Sequence, residues 1–281
     1  MNICIIGLGL IGGSLAIDLR NRGFASHIIG VDCNRQHASI AVLSGMVDET
    51  RDLESAVDSS DLVILATPVD VINKILPLVL DRIGGTNKVV TDMGSTKGSI
   101  GRLVEKHPSR HHYVASHPMA GTEHSGPLAA TEKLFDHKCA IICDSEKSAP
   151  FALEVVEKMY EVLNMELISM DAREHDISAA YVSHISHISS FALSLCVLEK
   201  EKNEKRLLSL AGGGFTSTVR LAKSSAEMWS PVFEQNEQFV LEVIDTYIEK
   251  LQQFKAHIAK KDTAGVNKLI QEANEIKKII N

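Results

Sequence analysis

The string Gly7-Leu8-Gly9-Leu10-Ile11-Gly12 constrains the fold of this chain more than any other. It follows an apolar, β-rich run at Ile3–Ile6 and opens a helical pattern over residues 10–21. Glycines at these three places permit a tight turn, a close approach of backbone to a pyrophosphate, and close helix–strand contact. The helix N-terminus adds unpaired N–H groups and a partial positive charge. Asp32 ends the second β-rich run, 20 residues after Gly12, where a carboxylate would meet a ribose 2′-hydroxyl and repel a 2′-phosphate. Together these features predict a dinucleotide site that takes NAD rather than NADP; Arg35 is the one nearby feature that argues for NADP. Two further loops, Ala66-Thr67-Pro68 and Asp92-Met93-Gly94-Ser95-Thr96-Lys97-Gly98, also follow strands and so fall at the same sheet edge. The spacing of the second equally suits a plain turn with Ser95 or Thr96 as a helix N-cap.

The rest of the first 170 residues continues the alternation. Strands are predicted at Ile3–Ile6, Ile28–Val31, Leu62–Leu65, Val89–Thr91, Tyr113–Ala115, Cys139–Ile142 and Leu167–Ser169. Helices are predicted between them at 10–21, 35–44, 69–82, 97–106 and 150–163. Strands apolar throughout, alternating with helices, indicate a mostly parallel sheet covered on both faces, with the order of the later strands open. From Asp171 the pattern turns helical, over 172–200, 203–222, 231–259 and 262–280. Ser230 with Pro231, and Asp262 with Thr263, read as helix starts, and the run Glu199–Arg206 reads as a solvated helix end and loop. The predicted fold class is therefore α/β: an N-terminal Rossmann-type doubly wound sheet over residues 1–170, then an all-helical domain over 171–281. Helices this apolar in so small a domain predict burial against a second subunit, hence a homodimer.

Composition narrows the partners. Lys+Arg minus Asp+Glu is 29 − 36 = −7 with no basic block, which argues against nucleic acid or an anionic membrane. Five cysteines without CxxC spacing argue against a disulfide scaffold or a zinc site. Ile3–Leu15 is apolar, but it lacks a preceding basic segment and is interrupted by glycines, so it does not read as a signal peptide. No run approaches the length of uninterrupted apolar sequence expected of a transmembrane helix, and the predicted location is cytoplasmic.

Of the 12 histidines, His27, His37, His107, His111, His112, His137 and His257 fall near element ends or on polar faces, where a solvated side chain is the default. His117 instead follows the strand Tyr113–Ala115 in Ser116-His117-Pro118-Met119-Ala120-Gly121-Thr122-Glu123, at the ligand edge. An imidazole there can accept a proton from a hydroxyl as hydride leaves the same carbon, although an ordinary loop histidine fits the pattern as well. His184 and His187 share a helix face with Asp176 and Ala180, and either contact a polar substrate or form a hydrogen-bond network between helices. No matching Asp, Glu or Cys set accompanies them, so no metal site is predicted. Finally, Gly212-Gly213-Gly214 precedes a helix carrying Arg220, followed by Met228-Trp229; Arg220 suits either a carboxylate clamp or a structural ion pair with a glutamate.

Taken in order, GLGLIGGS, DMGSTKG, SHPMAGTEHSG, REHD…SHISH and GGGF…R…MW resemble the prephenate/arogenate dehydrogenase family of tyrosine biosynthesis over essentially the whole chain. The resemblance implies NAD-dependent oxidative decarboxylation of prephenate to 4-hydroxyphenylpyruvate and CO2, on a Rossmann domain followed by a helical dimerisation domain. It implies that His117 is the base at the substrate ring hydroxyl and that Ser95 orients that hydroxyl and the histidine. Arg220 would bind a substrate carboxylate and His187 the pyruvyl side chain, with Thr122, Glu123, Gly213, Trp229 and His184 around the substrate. Gly7, Gly9, Leu10, Ile11, Gly12, Asp32, Thr67 and Pro68 would hold the cofactor. Alternatives are arogenate as the substrate, a β-hydroxyacid dehydrogenase, whose catalytic lysine the helix of His184 and His187 lacks, and a non-catalytic NAD-binding regulator. Ser217 stands where the family usually has an acidic residue, three positions before the arginine. The resemblance further sets the expectation of no ACT-type domain and no chorismate mutase module, so that any tyrosine feedback would act at the active site.

Overall fold

The structure, a computed structural model, describes residues 1–202, 206 and 208–279. Eight strands form one sheet in the order β3-β2-β1-β4-β5-β6-β7-β8. They are β1 Asn2–Ile6, β2 His27–Val31, β3 Glu49–Thr50, β4 Leu62–Leu65, β5 Val89–Asp92, β6 Tyr113–Pro118, β7 Cys139–Cys143 and β8 Glu166–Met170. All neighbours pair in parallel except β6 and β7, where His117 lies opposite Ile141 in an antiparallel register. Helices α1 (Leu10–Asn21), α2 (Arg35–Leu43), α3 (Leu53–Asp58), α4 (Val69–Ile83), α5 (Gly98–Val104) and α6 (Pro150–Val162) connect them. The seven strands and five helices expected of this region are present; β3 and α3 are additional, too short to give a periodic signal.

Both faces of the sheet are covered, which is why its strands read as unbroken apolar runs. Alternate residues serve alternate faces: Ile3 and Ile5 pack with Leu15, Leu19, Val156 and Tyr160, whereas Cys4 and Ile6 pack with Leu76, Leu80 and Val104. The strand order turns back between β1 and β4, so the C-terminal ends of β1, β4, β5 and β6 open on one edge. Ligands bind at such a crevice in doubly wound sheets.

Beyond the sheet, α7 (Ala172–Ala179), a π-helical turn (Ala180–His184) and α8 (Ile185–Glu201) form one continuous helix. By length and composition this helix, Ala172–Glu201, is apolar enough to cross a membrane, and 11% of its most apolar stretch is buried. Short helices follow at α9 (Gly213–Thr218), a 3-10 turn (Arg220–Lys223) and α10 (Ala226–Gln235). Parts of the segments read as 203–222, Glu199–Arg206 and 262–280 lie outside the described residues.

The helix expected over 231–259 is corrected by the structure. Ser225, not Ser230, caps α10, Pro231 lies inside that helix, and a separate α11 begins at Glu237. The break falls at Asn236, whose side chain is drawn off to bond the Asp176 carbonyl and His184 Nδ1. By compactness the chain divides into Met1–Asn236 and Glu237–Asn281. Both sides of residue 170 lie in the first of these units, where α7 and α10 bond directly to the loop after β5. In the second unit α11 (Glu237–Ala259) leads to α12 (Thr263–Asn274), which Asp262 caps through Gly265 N as expected.

Candidate active site

A cavity of about 850 Å³ lies along the strand edge. Gly9, Leu10 and Ile11 line one end, with Thr67 and Pro68 beside them; Ser95, His117, Thr122, Glu123, His187, Arg220 and Trp229 line the remainder. Most of the residues singled out in the sequence therefore meet in one space. Five do not line it: Gly7 and Gly12 lie within the glycine turn and helix behind Gly9, and the other three stand elsewhere. Gly213 is exposed at the start of α9, His184 is buried behind the wall at 1% exposure, and Asp32 sits beyond the glycine turn.

The glycine turn has distinct reasons at each position. Gly7 has φ +96°, a conformation that glycine alone adopts freely. A Cβ on Gly12 would stand 1.9 Å from Gly7 O, so helix and turn touch there through backbone. Gly9 has an ordinary φ of −80°, and a Cβ on it would meet nothing within 4 Å. The protein itself gives no reason for that glycine, so the reason lies in what approaches from the cavity. Gly9 also begins α1 with no side-chain cap, which leaves the first helical N–H groups free toward the same space. Asp32 accepts hydrogen bonds from Leu8 N at 2.9 Å and Asn34 N at 2.8 Å, which fixes a carboxylate beside the turn. His37 Nδ1 lies 3.7 Å from it. This arrangement fits a dinucleotide.

His117 is the next-to-last residue of β6. Its Nδ1 is 2.9 Å from His175 Nε2, and its Nε2 has no protein partner among the described residues. Burial, and then the proximity of His175 and Lys97, hold its pKa well below the usual imidazole value, so it is a neutral base at neutral pH. His175 is fully buried on α7, and its Nδ1 meets Asp176 Oδ1 at 2.8 Å. Burial pushes the Asp176 carboxyl up, but bonds from His175 and from the Lys97 and Gly98 backbone outweigh it and leave the pKa lowered. Those backbone bonds are both 2.8 Å, and they correct the expectation that Ser95 or Thr96 caps α5: the cap comes from Asp176, on another helix. Thr96 and Ser99 instead donate to Gln235 of α10.

Under this layer lies a second polar group. Lys97 and Asp92 form an ion pair with both side chains fully buried. Asp92 also accepts from Gly94 N, Tyr113 OH and Ser116 N. Removing one partner of such a pair leaves an uncompensated buried charge, at a cost of about 3–5 kcal/mol. The loop after β5 is therefore held rigid from beneath and capped from the side.

Across the cavity, Trp229 stacks on His187, with ring centroids 3.6 Å apart. His184 meets Asn236 Nδ2 at 3.1 Å, and burial lowers its pKa to about 4. Arg220 Nη1 donates to Glu123 Oε2 at 2.7 Å. The ion pair with a glutamate is thus present, and that glutamate is itself on the cavity wall. Ser95 shares the cavity, but no hydrogen bond joins its hydroxyl to His117 among the described residues; His175 holds the imidazole instead. His175 is a site residue that the sequence pattern does not single out. His112, expected to be solvated, is buried and bonds Lys88 O.

The fold and site define a nucleotide-binding protein of Rossmann type whose glycine turn and His117 line one cavity. Residues 15–169 match the nucleotide-binding domain of prephenate dehydrogenase, and residues 171–272 match its dimerization domain. The chain belongs to the prephenate dehydrogenase family, an oxidoreductase family. It is 30% identical over 275 residues to prephenate dehydrogenase of Bacillus subtilis (strain 168), covering 97% of this chain and 74% of that protein. The crystal structure of prephenate dehydrogenase from Aquifex aeolicus with hydroxyphenyl propionate and NAD+ superposes with a TM-score of 0.88 at 29% identity, covering 100% of this chain and 98% of that one. Synechocystis arogenate dehydrogenase gives 0.77 at 27% identity, covering both chains fully.

Proposed function

We propose that the chain catalyses NAD-dependent oxidative decarboxylation of prephenate to 4-hydroxyphenylpyruvate and CO2. One observation carries the reading: His117 is anchored through Nδ1 with Nε2 free, in a cavity that runs from the glycine turn to Arg220. Gly9, Leu10, Ile11, Thr67 and Pro68 would hold the dinucleotide, with the α1 N-terminus at its phosphates and Asp32 at its adenosine ribose. When bound, the nicotinamide supplies the hydride acceptor.

The protein's own residues then do three things. His117 accepts the hydrogen bond, and then the proton, of the ring hydroxyl as the carbon bearing it loses hydride. Arg220 holds a substrate carboxylate by exchanging Glu123 for it or sharing with it. His187, fixed against Trp229, faces the side chain, and Ser95 lies beside the hydroxyl. Loss of CO2 then makes the ring aromatic, which supplies the driving force without a covalent intermediate.

The division of labour at about residue 170 follows the same reading: cofactor before it, subunit contacts after it, and substrate held by residues from both sides. Val182, Leu195 and Leu198 on the long helix are exposed in the single chain. We read that face as covered by a second copy in a cytoplasmic homodimer. The test is NADH absorbance with the pure protein, NAD or NADP, and prephenate or L-arogenate. Turnover of prephenate with NAD supports the reading, preference for arogenate keeps the mechanism and changes the substrate, and NAD binding without turnover of either overturns it.

A further inference from the structure

We propose that His175 and Asp176 are positioning residues that form, with His117, a buried proton relay whose abstracted proton is balanced by the Asp176 carboxylate. The inference rests on the reading of His117 as the base and adds what that base is built upon.

The geometry fixes every proton in the chain. An ionised carboxylate only accepts, so Asp176 Oδ1, 2.8 Å away, requires the proton of His175 to sit on Nδ1. His175 Nε2 is then a lone pair, and at 2.9 Å it can only accept from His117 Nδ1. That leaves Nε2 of His117 bare on the cavity side, the state a base needs. The two rings meet edge to face at 67°, as suits an N–H aimed at a lone pair rather than stacking.

The charges around the pair point the same way. Lys97 and Asp92 cancel each other in their buried pair. His184, on the π-helical turn, is held neutral by burial. On the cavity side His187 is likewise lowered by burial, and Arg220 is paired with Glu123. Among the described residues Asp176 makes no ion pair with a Lys or Arg, although Arg102 of α5 approaches the same Gly98 that Asp176 caps, and a proton on the imidazole pair places a cation directly against it. Asp176 also caps α5, but a cap needs only the Lys97 and Gly98 N–H groups. Capping does not explain a fully buried histidine inserted between the carboxylate and the base.

The step balances. The substrate O–H bond breaks, its electron pair forming the carbonyl as hydride leaves for NAD, and the proton goes to His117 Nε2. The Nδ1 proton of His117 moves onto His175 Nε2, while the Nδ1 proton of His175 stays on that ring and is donated to the Asp176 carboxylate. When CO2 departs, the electron pair it releases reaches the ring oxygen, and the proton returns by the reverse path. No proton is consumed overall.

The experiment compares the full-length protein with Asp176→Asn and His175→Gln. It reads the ¹⁵N titration of His117 without substrate or cofactor, and the pH profile of kcat with prephenate and NAD. Each variant is expected to keep KM, lose kcat by roughly 10–100-fold, and move both the acid limb and the His117 titration to lower pH. Asp176→Glu should recover part of both. A fall in kcat with the His117 titration and the acid limb unmoved would reduce the two residues to structural support and overturn the relay. Should a variant not fold, the wild-type ¹⁵N shifts decide: a proton on His117 Nε2 rather than Nδ1 overturns the relay. Because the titration needs no turnover, a wild-type protein inactive on prephenate would refute the proposed function without touching this test.

Discussion

Gly9→Ala and Gly12→Ala are the same chemical change three residues apart, and the structure separates their outcomes. A Cβ on Gly12 would lie 1.9 Å from Gly7 O, where ordinary contact begins at 3.4 Å, so turn and helix must part by about 3.4 − 1.9 = 1.5 Å. The obstacle is backbone, and no side chain can swing aside. Overpacking of this kind costs about 3 kcal/mol or more, a fall in Tm of roughly 6–12 °C for a domain of this size. A Cβ on Gly9 meets nothing within 4 Å and its φ of −80° suits alanine, so stability should change by less than about 0.5 kcal/mol. That methyl group would instead occupy the space assigned to the pyrophosphate and weaken NAD binding by roughly tenfold or more, about 1.4 kcal/mol. Thermal unfolding followed by circular dichroism, and calorimetric titration with NAD, measure the two effects separately. Undiminished NAD affinity in Gly9→Ala would show that the dinucleotide does not lie against this turn. Unchanged Tm in Gly12→Ala would refute the helix–turn contact itself.

Arg220→Ala should raise KM by roughly 10–100-fold with little change in kcat, because a charge-assisted bond is worth about 1.5–3 kcal/mol and acts on ground and transition states alike; steady-state kinetics showing a loss confined to kcat would contradict the clamp. Asp32→Ser removes the carboxylate that Leu8 N and Asn34 N hold in place, and the Kd ratio of NADP to NAD should fall; an unchanged ratio would place the ribose elsewhere. His184 gives a pH dependence of stability. Its folded pKa of about 4 lies below the ordinary imidazole value of 6.5, so the neutral form is favoured on folding and its contribution is intact above pH 6.5. As pH falls from 6.5 toward 4 the unfolded chain takes up a proton that the folded one refuses, and about 3 kcal/mol is lost across that window. Urea unfolding at pH 7 and pH 5 should show about 2 kcal/mol of this loss in the wild type and less in His184→Gln.

The sheet was legible because burial on both faces writes itself into the sequence as apolar runs, and the glycine turn because its constraints are local. Short elements such as Glu49–Thr50 and Leu53–Asp58 were not, since neither spans enough residues to show a period. The helix over 231–259 was misread for a different reason. Ser230-Pro231 satisfies the local rule for a helix start, but the stop at Asn236 is set by tertiary bonds to Asp176 and His184. The N-cap of α5 failed in the same way: Ser95 and Thr96 are the right residue types nearby, and Asp176, 79 positions from Lys97, takes the bonds instead. At the site, residues on the cavity wall were found because they lie in strand-end loops. His175 was not, because a fully buried histidine on a helix gives the same sequence signal as any other.

A base weakened by burial suits the reaction proposed here better than a strong one. In that chemistry the ring hydroxyl loses its proton only transiently, because the product is a phenol and the oxygen needs the proton back. A strongly basic imidazole would hold the proton and slow its return, and at neutral pH much of it would be protonated before substrate arrived. Burial beside Lys97 keeps His117 neutral and ready. The remaining difficulty is that a weak base in an apolar wall cannot bear a full positive charge alone, even briefly. A carboxylate two hydrogen bonds away, outside the cavity, answers it: near enough to stabilise the imidazolium, and too far to compete with Arg220 for the anionic substrate. That placement requires the support to come from behind the strand edge. The first helix after the sheet reaches it, and it closes the loop after β5 in the same contact.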